Sequence, residues 1–222
     1  MKFSLRLNPQ TDIIKTKESR ELYNFFLQSF ENKYNLINSF SDSIKEISID
    51  LQNVLKTQII LNKPIKSMLG TRINTINEAF ETCEKPCFSD FKYDGLRIQI
   101  HNNFGKVTFF SRNLDDITKQ FPELVKIIQD NFSDISFVLD TECVGFDFEK
   151  KEFLPFQILS RRIMSKKFDD VSQIKVVLKA FDIIYLNGET LLNTKFEERR
   201  DLLESLFIRR KLIFLKNINL LV

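Results

Sequence analysis

The segment 92–97, with the sequence KYDGLR, places a lysine, an aspartate and an arginine around a single glycine. Lys92 could carry covalent chemistry, because a lysine is a nucleophile when its amine is uncharged, a form that burial or a nearby cation favours. The motif of a lysine, any residue, an aspartate and a glycine is short, and many lysines within it are only solvated side chains beside a turn. The role of Lys92 therefore depends on what the rest of the chain brings to it.

A strand must position this turn. Polar and apolar residues alternate after Gly95, which predicts a strand with Leu96, Ile98 and Ile100 on one face and Arg97, Gln99 and His101 on the other. His101, the only histidine, is expected on the strand surface. Residues 102–105 (NNFG) predict a hairpin loop before a second strand at 106–111. The turn would thus place its charged groups at the start of a strand.

Other elements follow from the same patterns. Strands are predicted at 87–91, 135–146 and 175–186, the last as a long buried strand that ends at the turn signal Asn187-Gly188. Apolar residues at helical spacing predict helices at 18–31, 44–55, 76–80, 118–129 and 196–207. In the last helix we expect leucines 202, 203 and 206 to face inward and residues 197–200 (EERR) to face outward.

The composition narrows the classes of protein. The chain has 222 residues and a net charge of +3, which permits a polyanionic partner without demanding one. No apolar run is long enough to span a bilayer, and the amino terminus lacks the apolar region of a signal peptide, so a soluble intracellular protein is expected. Cys83 and Cys87 have a spacing that metal ligands can have, but no second pair of cysteines or histidines follows, so zinc is not expected.

Five strings occur in order along the chain: KYDGLR at 92–97, FFSRN at 109–113, LDTE at 139–142, PFQ at 155–157 and AFDIIYLNGE at 180–189. This succession resembles the adenylation domain of eukaryotic-type ATP-dependent DNA ligases, most closely the replicative ligase of that group. The resemblance runs from about residue 63 to residue 206. It implies an α+β nucleotidyltransferase fold, similar to ATP-grasp folds, with antiparallel sheets flanked by helices.

The resemblance also implies a role for each site residue. Lys92 would attack the α-phosphorus of ATP to form a lysyl-AMP phosphoramidate, and the AMP would then pass to a 5′-phosphate in DNA. Arg97 would lie near the ribose and the α-phosphate, and Arg112 near the nucleotide phosphates or the 5′-phosphate of the nick. Glu142 would bind the ribose hydroxyl, and Phe181 would stack on the adenine ring.

Two further residues are implied beside the adenine, Asp90 and Phe91. Asp90 stands where the family usually has a glutamate, so its side chain is shorter. The residue types also suit these tasks on physical grounds, because arginine forks stabilise a phosphate whose charge rises in the transition state and an aromatic ring can stack on a purine. Each has a structural alternative: Phe181 could be a core aromatic, and Glu142 a solvated strand end.

The resemblance implies ATP and Mg²⁺ as cofactors and nicked double-stranded DNA as the partner. Magnesium follows from the triphosphate, whose oxygens it would bridge, with Glu142 as an indirect ligand only and no residue assigned to the metal. The implied processes are DNA replication, repair and recombination, in the nucleus or another DNA-containing intracellular compartment. No membrane partner is expected.

Later motifs of the family do not follow the Phe181 strand, neither a Glu-Gly string with a metal-binding glutamate nor a Lys-x-Lys strand, and no oligonucleotide-binding domain follows. We therefore expect three segments: 1–60, a helical remnant of the amino-terminal DNA-binding domain; 61–208, a partial adenylation domain that is incomplete at its carboxyl-terminal end; and 209–222, a divergent basic and apolar tail. Such a sheet would leave an open edge and an apolar face unless another chain covered them.

The sequence thus predicts an ATP-dependent DNA ligase that seals nicks through lysyl-AMP on Lys92, with a second polypeptide as a candidate source of the missing motifs and domain. The alternative is a non-catalytic, ligase-like remnant that binds nucleotide, DNA or a partner chain. Messenger-RNA capping enzymes and RNA ligases share the short lysine motif. The segments 97–101 (RIQIH) and 111–113 (SRN) favour a DNA ligase.

Overall fold

The computed structural model describes residues 17–50, 55, 58–83, 87–164, 174–209 and 219–221. These residues belong to two compact units, one that ends at Ile65 and one that begins at Lys66. Within the described ranges, no helix has both the length and the apolar character that crossing a bilayer requires.

Among its described residues, the first unit has two helices, α1 (Lys17–Ile37) and α2 (Phe40–Ile49). Helix α1 continues beyond its predicted end at Glu31, because its last turn still buries an apolar side chain, that of Ile37. It stops at Asn38, whose φ of 51° is the left-handed conformation that commonly ends a helix. Both helices lie where the sequence predicts helical structure.

Helix α2 begins after Ser39, whose side chain accepts a hydrogen bond from the main-chain N–H of Asp42. This satisfies one of the amide groups that the first turn of a helix leaves without an internal partner. The helix ends at Ile49. The predicted continuation through Leu51 and Val54 lies outside the described residues.

The second unit is built on an antiparallel sheet. Its strands in chain order are β1 (Cys87–Ser89), β2 (Leu96–Asn103), β3 (Lys106–Ser111), β4 (Ser136–Asp147), β5 (Glu152–Phe153), β6 (Val176–Leu186), β7 (Glu189–Thr190) and β8 (Asn219–Leu221). The main sheet has the order β3-β2-β4-β6-β7, and β5 pairs with one end of β4. Strands β1 and β8 form a separate two-stranded sheet.

The described part of this unit also has four α-helices: α3 (Ile76–Thr82), α4 (Pro122–Phe132), α5 (Phe156–Met164) and α6 (Phe196–Arg209). Thr75 caps α3, because its side chain accepts a hydrogen bond from the main-chain N–H of Glu78. The helix predicted from Thr118 starts later, because residues Thr118–Gln120 form only a 3₁₀ turn and α4 begins at Pro122. A proline suits the first turn of a helix, where its missing N–H costs no hydrogen bond.

One face of the main sheet packs against α4, α5 and α6 and forms the core. The core residues from the strands are Ile98, Ile100, Phe109, Phe137, Leu139, Cys143 and Ile183, and those from the helices are Leu124, Ile128, Phe132, Leu159, Leu203 and Leu206. The predicted α+β arrangement of an antiparallel sheet flanked by helices is therefore confirmed. The opposite face carries polar side chains of β2 and β4.

The hairpin β2-β3 was correctly predicted. Phe104 and Gly105 form its turn with φ values of 48° and 86°, so both adopt the left-handed conformation that two-residue hairpin loops require. Gly105 accepts this conformation without strain. Asn102 supports the turn, because its side-chain oxygen accepts a hydrogen bond from the N–H of Gly105.

Strand β6 is less buried than predicted. Only Ile183 and Ile184 are fully buried in it, and its other residues are half-buried. The reason is its place in the sheet: on the side away from β4, the described residues supply only β7, which pairs with Tyr185 and Leu186. The turn at Asn187 and Gly188 forms as predicted, with φ values of 47° and 97°.

The prediction that Arg199 and Arg200 face outward is wrong. Arg199 binds the carboxylate of Asp182 through Nε and Nη2, and Arg200 is 9% exposed. Both guanidinium groups are directed towards β6, because each finds oxygen acceptors there. A prediction from helical periodicity places arginine on the surface, because it takes no account of oxygen acceptors that another element supplies in the interior.

Candidate functional site

Lys92 lies in the irregular segment between β1 and β2, and its side chain is exposed. Two contacts fix the turn that follows it. Asp94 accepts a hydrogen bond of 3.4 Å from the main-chain N–H of Phe156, at the first residue of α5. Gly95 provides the second contact, against β4.

Gly95 lies so close to β4 that no side chain fits. A Cβ atom at this position would be 2.4 Å from the carbonyl oxygen of Cys143 and 3.0 Å from Cγ of Glu142. Only glycine permits this approach of one main chain to another. The single glycine of the motif therefore brings the Lys92 turn against the strand that carries Glu142.

Glu142 is half-buried on the face of the sheet opposite the core. Burial raises the pKa of Glu142 above its usual value, although the charges of Lys92 and Arg97 act in the opposite direction. In the sheet register, Glu142 pairs with Arg97 on β2 and with Lys179 on β6. The carboxylate thus lies in a row between two basic residues, close to the charge of Lys92.

Arg97 is fixed by an ion pair. Its Nε and Nη2 atoms donate hydrogen bonds to the two carboxylate oxygens of Asp140, at 3.1 and 2.5 Å. Burial would lower the pKa of Arg97, but the hydrogen bond and the charge of Asp140 outweigh it, so the pKa is raised. The guanidinium group also lies 5.6 Å from the ring centroid of Phe181. Arg97, Glu142 and Phe181 are therefore brought to one face of the sheet.

A cleft of about 440 Å³ opens beside Lys92. Residues 91–94 line one side, and Val144 and residues 153–155 line the other. Its walls are partly aromatic, since the rings of Tyr93 and Phe153 lie 6.0 Å apart in an edge-to-face arrangement. The cleft places open space next to the candidate nucleophile.

The other predicted residues lie around this centre. Asp90 and Phe91 are exposed just before Lys92, and the side chain of Asp90 accepts a hydrogen bond from the N–H of Phe91. Arg112 is exposed in the turn after β3, whose last residue, Ser111, pairs with Ile98 on β2. Arg112 is therefore at the end of β3 that lies beside Arg97, although no contact joins it to the Arg97 and Asp140 pair.

The surface position predicted for His101 is wrong. His101 is completely buried, its Nε2 lies 3.0 Å from the side-chain oxygen of Gln99, and its ring packs edge-to-face on Phe110. Burial lowers the pKa of His101 to about 4, so the ring is neutral at physiological pH. The alternating sequence pattern correctly placed His101 on the polar face of the sheet, but this part of the polar face is buried.

Lys179 is a site residue that the sequence analysis did not identify. Its Nζ atom lies 5.3 Å from the ring centroid of Tyr93 and 5.2 Å from that of Phe153. Burial lowers the pKa of Lys179. A lysine among the apolar residues of 176–181 was the available signal, because such a residue needs either solvent or a specific partner.

The described residues contain no group of three or more histidine, cysteine, aspartate or glutamate side chains that could hold a metal ion. Asp140 is occupied by Arg97, which leaves Glu142 as the available carboxylate of the polar face. This donor set does not form a protein cage for a metal. It is compatible with a magnesium ion that is coordinated mainly by phosphate oxygens, the usual arrangement for nucleotides.

Residues 67–220 match the family model of the ATP dependent DNA ligase domain. The matched range extends beyond residue 206, where the sequence analysis ended the resemblance, and includes most of the segment 209–222. Strand β8, which lies within this range, pairs with β1 immediately before the Lys92 turn. The boundaries 1–60, 61–208 and 209–222 remain predictions.

Curated relatives support the same assignment. The chain is 38% identical over 156 residues to a DNA ligase of Nanoarchaeum equitans, covering 69% of this chain and 27% of that protein. It is 40% identical over 157 residues to DNA ligase 1 of Schizosaccharomyces pombe, covering 69% of this chain and 19% of that protein. The chain thus spans 19 to 27% of the length of these two relatives.

A solved structure is also similar, the ligase domain of LigD from M. tuberculosis. It is 29% identical, with a TM-score of 0.49, and the comparison covers 61% of this chain and 40% of that one. The assignment rests on the family model, which matches more than half of the chain and includes the Lys92 turn, Arg97, Glu142 and Phe181. The chain belongs to the family of ATP-dependent DNA ligases.

Proposed function

We propose that this chain carries out self-adenylation in the sealing of nicks in duplex DNA. The observation that carries the proposal is the close approach of Gly95 to β4, which brings the Lys92 turn against Glu142 on the face that also holds Arg97 and Phe181. Each of the four side chains suits one task. Lys92 is the nucleophile, and Glu142 can accept a hydrogen bond from a ribose hydroxyl. Arg97 can donate hydrogen bonds to a phosphate, and Phe181 offers a ring on which a base can stack. The ligase family supplies the reaction.

In the proposed step, the uncharged Nζ amine of Lys92 attacks the α-phosphorus of ATP. A nitrogen–phosphorus bond forms, the bond from the α-phosphorus to the bridging oxygen of the β-phosphate breaks, and pyrophosphate leaves with that electron pair. The amine loses one proton to solvent. An oxygen of the 5′-phosphate of a nick then attacks the phosphorus of the bound AMP. A new oxygen–phosphorus bond forms, the nitrogen–phosphorus bond breaks, and the Lys92 nitrogen takes up a proton and is regenerated as an amine.

Arg97 is suited to a phosphate contact because its orientation is already fixed. Two of its five N–H donors are used by Asp140, so three remain for a ligand. A fixed guanidinium group stabilises charge that develops in a transition state without having to reorganise. We assign Arg97 to the ribose and α-phosphate, and Arg112 to the nucleotide phosphates or the 5′-phosphate of the nick.

The remaining roles concern the nucleoside. We assign Glu142 to the ribose hydroxyl, because a carboxylate is a strong hydrogen-bond acceptor. Phe181 is half-buried on the same face and would stack on the adenine, and the exposed Asp90 and Phe91 would flank it. Magnesium would be held mainly by the phosphates and would assist the departure of pyrophosphate.

The test is covalent labelling with ATP that carries ³²P at the α-phosphate, in the presence of Mg²⁺. We expect the chain to retain the label after denaturation, and the bond to be labile in acid and stable in alkali, as phosphoramidates are. Lys92→Ala and Lys92→Arg should abolish labelling. Lys126→Ala is the matched control, because Lys126 is exposed on α4, where it pairs with Asp130.

Because the chain spans a fraction of its relatives, the assay is repeated with the complementary part of a ligase supplied as a second polypeptide. Absence of label under both conditions would refute the proposal. Reversible binding of ATP without label would instead support the non-catalytic alternative. Label that persists in Lys92→Ala would show that another residue is the nucleophile.

We further propose a DNA-containing compartment such as the nucleus as the location, and replication, repair and recombination as the processes served. These proposals rest on the family alone. Fractionation of cells that express a tagged chain tests the location, and recovery of the chain only outside DNA-containing fractions would contradict it. Loss of the chain should also leave unsealed nicks in newly replicated DNA.

A further inference from the structure

Phe181 lies at an irregularity in the sheet. In the pairing of β4 with β6, Thr141 is opposite Ala180 and Asp140 is opposite Asp182, so Phe181 is an extra residue on β6. Such a β-bulge bends the strand, redirects a side chain and leaves main-chain groups without their ladder partners. The orientation of the Phe181 ring therefore depends on the contacts that stabilise the bulge.

Arg200 holds this bulge from the helix side. Its Nη1 atom donates a hydrogen bond of 2.6 Å to the carbonyl oxygen of Phe181 and lies 3.5 Å from that of Ala180. The side chain is 9% exposed, so these contacts are made away from water. A charged donor in such surroundings forms a stronger hydrogen bond than a neutral one.

The same face of α6 also reaches the segment that leads to Lys92. Phe196, one turn before Arg200, packs edge-to-face on Phe88 of β1, with ring centroids 5.2 Å apart. Burial lowers the pKa of Arg200, and the negative charges of Asp90 and Asp182 act against this shift. Arg200 thus contacts the bulge on β6 and is close enough to Asp90, two residues before Lys92, for the charge of Asp90 to affect its pKa.

We propose that Arg200 is a positioning residue of the nucleotide site: it caps the bulge at Phe181 and so sets the place of the ring on which the base stacks. The proposal rests on the proposed function, since it needs a nucleotide base at Phe181. It predicts that Arg200 governs affinity for the base and not for the phosphates. A residue that only attached α6 to the sheet would not make this distinction.

The test compares dissociation constants of ATP and inorganic triphosphate for the full chain, measured by calorimetry in EDTA so that no lysyl-AMP accumulates. We expect Arg200→Ala to weaken ATP binding about tenfold, which is within the range that the loss of one stacked base produces. Triphosphate binding should change less than about twofold. Arg200→Lys keeps the positive charge but not the planar guanidinium group, so its loss of ATP affinity should be intermediate.

Arg199→Ala is the matched control. Arg199 is also largely buried on α6, but it binds the side chain of Asp182 and the carbonyl oxygen of Thr194 instead of the bulge carbonyls. It should reduce stability without selective loss of ATP affinity. A double-mutant cycle with Phe181→Ala gives a second readout, because the effect of Arg200→Ala on ATP binding should largely vanish when the ring is absent.

Three results would overturn the proposal: unchanged ATP affinity in Arg200→Ala, equal losses for ATP and triphosphate, or the same selective loss in Arg199→Ala. If Arg200→Ala does not fold, Arg200→Lys and its cycle with Phe181→Ala decide the question in the same way. A wild-type chain that binds neither ligand, both alone and with the complementary part of a ligase supplied, would refute the proposed function itself and this inference with it. Failure of the inference alone is recognised because the wild type then still binds ATP.

Discussion

Arg97 and Asp140 form a two-pronged ion pair between neighbouring strands of the main sheet, diagonally across the register that pairs Arg97 with Glu142. Asp140 is the more deeply buried partner, with 10% of its side chain exposed against 28% for Arg97. Burial has the largest effect on the pKa of Asp140 and raises it, and the hydrogen bond and charge of Arg97 offset only part of this rise. The pair fixes a guanidinium group on the candidate site before any ligand arrives.

We expect Asp140→Asn to destabilise the fold by about 1–3 kcal/mol, because it leaves the partly buried charge of Arg97 without its partner. It should also slow labelling of Lys92, since Arg97 is no longer held. Urea unfolding and the labelling rate measure the two effects. Asp130→Asn, which breaks the exposed pair with Lys126, should change stability by less than about 0.5 kcal/mol. Equal effects of the two substitutions would contradict this reading.

Gly95→Ala should impair both folding and labelling. Its Cβ would collide with the main chain of β4 at Cys143, which cannot move aside as a flexible side chain could. The cost of such overpacking is about 1–3 kcal/mol, and the Lys92 turn must move away from Glu142 to relieve it. Thermal denaturation and α-phosphate labelling provide the readouts.

Gly70→Ala is the control for Gly95→Ala, because nothing lies within 4 Å of a Cβ at Gly70 and its backbone is not left-handed. It should be neutral or slightly stabilising. If Gly95→Ala retains full stability and wild-type labelling, the close approach to β4 is not what positions Lys92.

The parts of the fold that depend on local sequence were predictable. The hairpin around Phe104 and Gly105 follows from turn chemistry, and β4 and β6 follow from alternating or continuous apolar residues. The start of α4 was missed, although Pro122 gave a usable signal as a residue suited to a first helical turn. Local rules therefore identify elements better than their boundaries.

Burial of polar side chains was not predictable, because it depends on which elements pack together. His101 and Arg200 both lie on stretches that read as solvent-facing, and both are buried. Phe110 of the adjacent strand packs on the His101 ring, and the carbonyl oxygen of Phe181 on β6 accepts a hydrogen bond from Arg200. The site residues Lys92, Arg97, Glu142 and Phe181 were identified through their order along the chain. Their mutual positions required the register of β2, β4 and β6.

Burial of His101 makes stability depend on pH. The folded-state pKa of about 4 is below the ordinary value of 6.5, so between these values the unfolded chain binds a proton that the folded chain does not. Stability should therefore fall as the pH decreases from about 6.5 to about 4, by roughly 3 kcal/mol at most, at about 1.4 kcal/mol for each pKa unit. Urea unfolding at several pH values measures this loss.

The carboxylates of the chain also titrate in this range, so the contribution of His101 is taken as a difference. His101→Gln removes the titrating ring and keeps a polar side chain that can bond to Gln99. The difference in unfolding free energy between the wild type and this variant should shrink as the pH falls. A difference that stays constant from pH 7 to pH 4 would mean that the histidine takes up its proton without cost in the folded state.

Lys179 should matter for the rate of labelling more than for stability. Its ammonium group lies between the rings of Tyr93, beside the nucleophile, and Phe153, across the cleft, so it holds the Lys92 turn against the strand β5. Lys179→Met keeps an unbranched apolar side chain and removes the positive charge. The labelling rate should fall about three- to tenfold, in keeping with the loss of one or two cation–aromatic contacts.

Lys175→Met is the matched control, because Lys175 makes a similar contact, 5.6 Å from the ring centroid of Phe148, at a cleft that does not include Lys92. It should leave the labelling rate unchanged within about twofold while costing a similar, small amount of stability. If both substitutions slow labelling equally, the effect is a general weakening of β6. If neither substitution slows labelling, the contacts of Gly95 and Asp94 are sufficient to hold the Lys92 turn. Lys179, although it lies in a row with Arg97 and Glu142, then does not contribute to the adenylation step.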